Sequence, residues 1–419
     1  MSRQGIDISF LDALFTSTSA VCVTGLTVVD TGKDFSRVGQ VVIVLLIQTG
    51  GLGVMTFAGL AFQLFGMRMS LRSEAVLHDT LFQRHVGAEF GHTFRTILLL
   101  TGFIEGVGAV LLFVLLSREM GVSDAAFSAI FHSISAFCNA GFSLRSDNLV
   151  GLRENEFILI VIMTLIVLGG LGYTVVHEIY EFLGRFAVRS GETFSIQAFS
   201  FHARIVVVIT LFLIFGGAGF LILFGIGEPE LSTWELIVNA LFQSVTARTA
   251  GFNSVDIGRL PSPSLLILIM LMFVGGAPGS CAGGIKITSA AILWARFLSG
   301  LRGQREVNLR DRMIPQDLIS RTDFLVALAL LWNLTGIFFL FSFETGLKVD
   351  TLSLIFEQIS AFGTVGLSTG ITPQMSWASK LWLIATMFVG RLGPLTIALW
   401  IIPSGGVKIR YPRGTVMIG

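Results

Sequence analysis

Apolar runs of two lengths alternate along the chain. Seven runs reach the roughly 20 residues that an α-helix needs to cross a bilayer. They cover 38–65, 96–117, 157–183, 203–226, 264–298, 323–343 and 379–403. Four shorter runs, near 10–22, 125–138, 234–247 and 351–362, hold only about 12 residues, or about 18 Å of helix. They are too short to span and fit re-entrant half-helices. Start signals precede them: Ser232-Thr233-Trp234-Glu235 reads as a capping box, and Ser9, Ser123 and Asp350 stand in similar places.

Each short run ends in a glycine step. These are Cys22-Val23-Thr24-Gly25-Leu26, Cys138-Asn139-Ala140-Gly141-Phe142, Arg248-Thr249-Ala250-Gly251-Phe252 and Gly363-Thr364-Val365-Gly366-Leu367. Upstream lie matching Phe and Ser/Thr runs, as in Phe15-Thr16-Ser17-Thr18-Ser19 and Phe131-His132-Ser133-Ile134-Ser135. The step glycines are 116, 110 and 115 residues apart, so the chain is an internal fourfold repeat. The expected architecture is an all-α membrane protein of four membrane–pore-helix–membrane repeats around a central pore. The repeats occupy 1–70, 71–185, 186–300 and 301–403, followed by a tail at 404–419. The first repeat lacks its outer span, and about 20 further apolar residues are expected upstream of Met1.

Composition supports this setting. Hydrophobic residues make up 53% of the chain, charged residues 13%, and mean hydropathy is +0.81. Soluble domains carry about 25% charged residues. A net charge of +1 selects no partner, and no nucleic-acid partner is expected. Cys22, Cys138 and Cys281 form neither a disulfide framework nor a metal knuckle. The segments 66–95, 184–204 and 296–321 and the tail hold sixteen Lys/Arg, against eight in the loops of the other side. By the positive-inside rule those segments and the C-terminus are cytoplasmic, and the half-helices enter from outside. The densest stretch, Arg296 to Arg321, would form a basic hairpin.

Half-helices whose C-terminal, negative dipole ends meet at small, carbonyl-rich steps would welcome a cation. Backbone carbonyls can replace a hydration shell where side chains leave room, and Thr24, Ala140, Ala250 and Val365 are small or medium. The candidate filter is therefore Val23, Thr24, Gly25, Asn139, Ala140, Gly141, Thr249, Ala250, Gly251, Thr364, Val365 and Gly366. A second glycine motif follows each step: Gly50-Gly51-Leu52-Gly53, Gly169-Gly170-Leu171-Gly172, Gly275-Gly276-Ala277-Pro278-Gly279 and Gly390-Arg391-Leu392-Gly393. Close helix packing explains the first two copies. The third lies in Val274 to Lys286, whose five glycines and proline make a continuous helix implausible. Gly275, Gly276, Pro278, Gly279, Ser280, Gly283, Gly284 and Lys286 are read as a gate beneath the filter, with Arg391 holding that loop through its carbonyls or setting a barrier. Lys286 would snorkel to the cytoplasmic surface. Arg248 would brace the third step from behind, and Glu105 and Asn333 would bond neighbouring helices. An intramembrane hydrolase built on Ser280 is disfavoured, since no histidine follows His202 and only Lys286 could serve as base. No enzyme activity is expected. An alternating-access, sodium-coupled secondary transporter is the alternative to a fixed pore.

These residues resemble the Trk/Ktr/HKT superfamily of potassium transporters, most closely its Ktr membrane subunits. The resemblance rests on the four steps, on Thr246-Ala247-Arg248-Thr249-Ala250-Gly251-Phe252-Asn253, on Gly390-Arg391-Leu392-Gly393-Pro394-Leu395-Thr396 and on Ile409-Arg410-Tyr411-Pro412. It implies potassium (K+) bound at the filter carbonyls, since all four steps carry glycine. It also implies sodium (Na+) as an activator, a homodimer in the cell membrane and a KtrA- or KtrC-like cytosolic ring that binds the regulatory nucleotide.

Overall fold

The computed structural model describes residues 2, 7–53, 90–188, 199–226, 231–304, 306–346 and 349–394. Among them the chain forms α1 (Phe10–Val21), α2 (Arg37–Gly51), α3 (Phe90–Leu116), α4 (Val122–Phe137), α5 (Glu156–Gly170) and α6 (Tyr173–Val188). These are followed by α7 (Phe201–Phe224), α8 (Thr233–Thr246), α9 (Ser262–Phe273) and α10 (Ile287–Leu301). A hairpin of β1 (Asn308–Leu309) and β2 (Arg312–Met313) leads to α11 (Gln316–Phe343), α12 (Thr351–Gly363) and α13 (Trp377–Leu392).

Helices α3, α7 and α11 are long and apolar enough to cross a membrane. Their outer faces carry bare aromatics: Phe103, Phe212 and Phe338 are exposed by 69, 73 and 75%. Apolar surface on this scale suits lipid rather than water. The chain is a mostly helical, multi-pass membrane protein.

The short helices α1, α4, α8 and α12 start as the sequence suggests in two cases. Ser9 accepts from Asp12 N at 3.1 Å, and Ser232 and Glu235 form a reciprocal capping box. At α4 the expectation fails. The helix begins one residue before Ser123, Gly121 takes the cap position, and no side chain caps it. Asp350 holds the cap position of α12 without a side-chain bond.

Helix packing is cyclic. The long helices lie on the short ones that follow them, α3 on α4, α7 on α8 and α11 on α12. Next, α2 packs on α4, α5 on α8, α9 on α12, and α13 returns to α1. Polar contacts tie the same neighbours near the helix starts: Arg37 pairs with Asp124, Trp234 Nε1 donates to Glu156 at 2.7 Å, and Lys380 meets Asp12 at 3.0 Å.

The second glycine motif does two things. Its first glycine lets a helix lie on the end of a short helix. A Cβ on Gly50 would meet Val21 O, one on Gly169 Phe137 O, and one on Gly390 Phe362 O. Its last glycine ends the helix, because Gly53, Gly172 and Gly393 have φ of +97°, +83° and +86°. The apolar run 157–183 is therefore not one straight span: α5 and α6 meet at a 108° bend. Likewise α13 stops at Leu392 and α2 at Gly51. The remainders of runs 38–65 and 379–403, the segment 66–89, the tail 404–419 and the motif residues Leu395, Thr396 and 409–412 lie outside the described residues. The run 264–298 is broken where expected, between Phe273 and Ile287.

Gly169→Ala should lower the melting temperature of the detergent-solubilised protein, since overpacking costs about 1–3 kcal/mol. Gly102→Ala, at a helical position with nothing within 4 Å, should not. Equal melting of the two variants would refute the close-packing role.

Candidate functional site: a ring of four glycine steps

The site begins with how the short helices stop. In α1, α4 and α12 the residue two before the step glycine is left-handed: Val23 at φ +56°, Asn139 at +59° and Thr364 at +48°. Its N–H bonds three residues back, and the next N–H bonds five residues back. The second set is Thr24 N to Ser19 O at 2.8 Å, Ala140 N to Ser135 O at 2.7 Å and Val365 N to Ser360 O at 2.9 Å. This is the Schellman ending that glycine normally supplies. For β-branched Val23 and Thr364 the left-handed conformation costs roughly 1–2 kcal/mol each, and strain of this kind marks functional backbone. Thr249, at φ +80°, repeats the feature after α8.

Two residues later the step glycines turn left-handed again, at φ +91°, +67°, +79° and +91° for Gly25, Gly141, Gly251 and Gly366. They converge. A Cβ on Gly25 would lie 3.2 Å from Gly141 Cα, on Gly141 2.9 Å from Gly251 Cα, on Gly251 3.1 Å from Gly366 Cα, and on Gly366 2.9 Å from Gly25 Cα. The same four Cβ atoms would strike the carbonyls of Ala140, Ala250, Val365 and Thr24. Thus the steps close a ring in chain order. The carbonyl before each glycine presses on the neighbouring glycine, and no side chain fits between.

Hydroxyls from the short helices hold the ring. Ser19 Oγ accepts from Gly25 N at 3.1 Å, and Ser360 Oγ accepts from Gly366 N at 3.1 Å while donating to Leu367 O at 2.6 Å. Ser135 Oγ donates to Phe142 O at 2.8 Å. All three serines are fully buried. Their signal in the sequence was the repeated Ser/Thr run, six residues before each glycine. The third repeat has Val245 there. Asn139 and Thr249 meet side chain to side chain at 3.3 Å, linking the second and third steps.

Residues 274–286 form a loop against the ring. Its ends pair through Val274 and Ile285, with Gly275 N donating to Ile285 O at 2.8 Å. Its body bonds to the second glycine motifs of other repeats. Ala277 N donates to Gly170 O at 3.0 Å, Cys281 N to Gly169 O at 3.3 Å, Gly284 N to Gly390 O at 3.3 Å, and Tyr173 N to Gly279 O at 3.2 Å. A Cβ on Gly283 would run into the Thr364 side chain, and one on Gly275 would lie 3.4 Å from Thr249 Cγ2. The loop therefore sits beside the left-handed residues that precede the steps. Arg391 clamps it, donating to Cys281 O and to Gly50 O.

The remaining sequence candidates divide. Ser280 and Pro278 lie in the loop, and Ser280 Oγ donates to Ala277 O at 2.6 Å. Lys286 does not snorkel: its ammonium folds back onto Ala282 O inside the same loop. Arg248 is buried beside the third step, but its Nε finds no hydrogen-bond partner, so a bracing bond through that atom is not made. Glu105 accepts from Gln48 Nε2 at 3.2 Å, and Asn333 Oδ1 accepts from Gln358 Nε2 at 3.4 Å, both across helices as expected. All three cysteines are free.

The TrkH family, described as cation transport proteins, matches residues 2–194 and 230–408. Ktr system potassium uptake protein B of Bacillus subtilis (strain 168) is 37% identical over 416 residues, covering 98% of this chain and 90% of its own length. Potassium/sodium uptake protein NtpJ of Enterococcus hirae is 34% identical, covering 100% of this chain and 92% of its own length. Among solved structures, the potassium transporter TrkH from Vibrio parahaemolyticus shares the fold, with a TM-score of 0.72 at 20% identity over 95% of this chain and 79% of that one. The chain belongs to the TrkH family of cation transport proteins.

Ser360→Ala would strip a buried donor and a buried acceptor of their partner, at about 1–3 kcal/mol each. Melting should fall well below that of Ser342→Ala, whose exposed hydroxyl bonds only its own helix at Phe338 O. Indistinguishable melting curves would show that Ser360 does not hold the ring.

Proposed function

We propose that this chain is a channel-like potassium uptake protein of the cell membrane, built as four membrane–pore-helix–membrane repeats about one pore. The observation that carries this reading is the closed ring of glycine steps at the C-terminal ends of four half-helices. A dehydrated ion costs several kcal/mol in low dielectric. Carbonyls of Val23 to Gly25, Asn139 to Gly141, Thr249 to Gly251 and Thr364 to Gly366 would replace its water. Each half-helix adds about half a negative charge from its dipole. Potassium is the ion named for the relatives from Bacillus and Vibrio, and sodium is named beside it for the Enterococcus relative. Potassium is thus the proposed cargo and sodium an activator.

The loop at 274–286 is proposed as the gate. It lies against the ring, and Arg391 acts as its latch. Opening requires the Arg391 bonds and the bonds to Gly169, Gly170 and Gly390 to exchange partners. Each bond is worth a net 0.5–1.5 kcal/mol, or somewhat more from a charged donor. A cytosolic nucleotide-binding partner that pulls on the cytoplasmic segments could supply that. Such a partner fits the word "system" in the relatives' names, and a homodimer is proposed on the family resemblance. In the alternating-access reading two halves rock about a shared site. Because the fourth step touches the first, the ring has no seam along which halves could part.

In a potassium-transport-deficient bacterium supplied with a regulatory subunit, the wild type should restore growth on low potassium. Gly25→Ser should lower potassium-over-sodium preference about tenfold, equivalent to about 1.4 kcal/mol. Unchanged preference would remove the ring from the filter role. Shortening 277–284, or Arg391→Ala, should raise basal flux in vesicles. Flux unaltered in both, with the protein still folded, would mean that the loop is not a gate.

A further inference from the structure

Glu357 is a carboxylate with no exposed surface at all, midway along the short helix α12. Buried glutamates persist only when paired or richly hydrogen-bonded. Among the described residues no salt bridge reaches Glu357. Four donors from neutral groups do, and all come from the segment leaving the fourth step, as far as the 3-10 turn that Thr372 opens. Oε1 accepts from Ser368 Oγ at 2.7 Å, Thr369 N at 2.9 Å and Thr369 Oγ1 at 3.3 Å, and Oε2 accepts from Thr372 Oγ1 at 2.7 Å. The Ser368 and Thr372 hydroxyls are themselves 3.0 Å apart, and Ser368 Oγ accepts from Gly370 N at 2.9 Å.

These bonds continue what Ser360 begins. Ser360 holds Gly366 N and Leu367 O; Glu357, one helical turn earlier, holds the next two residues. Every residue from Gly366 to Thr369 is therefore tied to α12 by a side chain. The second repeat has a counterpart. His132, also nine residues before its step glycine, meets Ser143 Oγ at 3.0 Å, two residues after that glycine. In the first repeat the matching Thr16 bonds within its own helix, to Asp12 O, and in the third the position is Phe242. The outward struts thus stand on opposite sides of the ring, and only the fourth is an acid.

We propose that Glu357 is a positioning residue of the filter: it clamps the strand leaving Gly366 and so fixes the carbonyl spacing by which the ring separates potassium from sodium. The inference rests on the filter reading proposed above. Discrimination between ions of equal charge depends on the number, spacing and stiffness of the coordinating carbonyls. A strand free to shift beyond Gly366 would adapt to the smaller ion.

The test uses the full chain in phospholipid vesicles, reading the potassium-to-sodium flux ratio alongside melting temperature. Ser368→Ala with Thr372→Val removes two donors at little change in volume, and should lower the ratio at least about threefold, the scale of losing a hydrogen-bonded strut. Glu357→Leu should lower it further. Glu357→Gln keeps the shape, and Thr372 can reverse its hydroxyl to accept, so this variant should retain more than about half of the wild-type ratio. A wild-type ratio in the Ser368/Thr372 double variant overturns the proposal, even if Glu357→Leu fails to fold. Gly366→Ser in the same vesicles separates the two levels. If it changes the ratio while the strut variants do not, only this inference falls. If it leaves the ratio unchanged, the filter reading falls with it.

Discussion

The structure depends on one constraint: four backbone segments must meet at a point with no side chain between them. Glycine at 25, 141, 251 and 366 answers the steric part, since any Cβ there would strike the neighbouring carbonyl. The rest is a problem of delivery. Each segment must arrive extended and face inward, directly after a helix that has been running along its own axis. A left-handed residue makes that turn in one step, even where it is valine or threonine. The strain of roughly 1–2 kcal/mol per residue is met by the tight bonds from Thr24, Ala140 and Val365 back into their helices, and by the serines that grip the outgoing strand.

The same constraint accounts for the second glycine motif. To bring a short helix to the centre, the following helix must lie close on its end, and Gly50, Gly169 and Gly390 make that approach. The motif then leaves carbonyls exposed where the helices stop. The loop at 274–286 takes several of them; irregular backbone within a membrane is tolerated only where protein buries it or water lines it. Gly169 O, Gly170 O and Gly390 O each accept a loop N–H, and the guanidinium of Arg391 satisfies Cys281 O from the other direction. The loop is therefore held by partners from the second and fourth repeats, and Arg391 reaches on to Gly50 O of the first. Its bonds are individually weak, which is compatible with the gate role proposed for it.

Much of this was legible because it was repeated. One glycine step in an apolar chain is unremarkable; four at near-even spacing, each behind a run too short to span, constrain the geometry. Caps such as Ser232 with Glu235 are local and could be read directly. What could not be read is tertiary. Nothing in Gly169-Gly170-Leu171-Gly172 tells that α5 ends there, because the bend is fixed by contacts with Pro278 O and Gly279 O more than a hundred residues away. Lys286 reads as a snorkelling end residue until the loop folds a carbonyl back over it. Glu357 carried no signal in the sequence, since its partners come from a segment that turns back alongside. Ser123 misleads for a simpler reason: α4 starts a residue early at an uncapped Gly121.

Several exceptions to fourfold symmetry lie in the third repeat, and they are connected. There the position six before the step glycine is Val245, so no serine grips the ring, and the neighbouring Ser244 turns outward to Leu213 O and Ile214 O of α7. The helix that should follow breaks at Phe273, and Gly275, the counterpart of Gly50, Gly169 and Gly390, packs on Gly283 of its own loop instead of on a short-helix end. A repeat that surrenders its second helix to form a loop loses the close helix contact that steadies its step. The link from Thr249 to Asn139, and the contact of Gly251 with Gly366, then tie that step to its neighbours. The loop adjoins the third step at this point, since a Cβ on Gly275 would lie 3.4 Å from Thr249 Cγ2. The quarter of the ring that carries the loop is also the one whose own helix offers no serine six residues before the step glycine, and it holds the step through backbone bonds from Ala250 N and Gly251 N to Thr246 O.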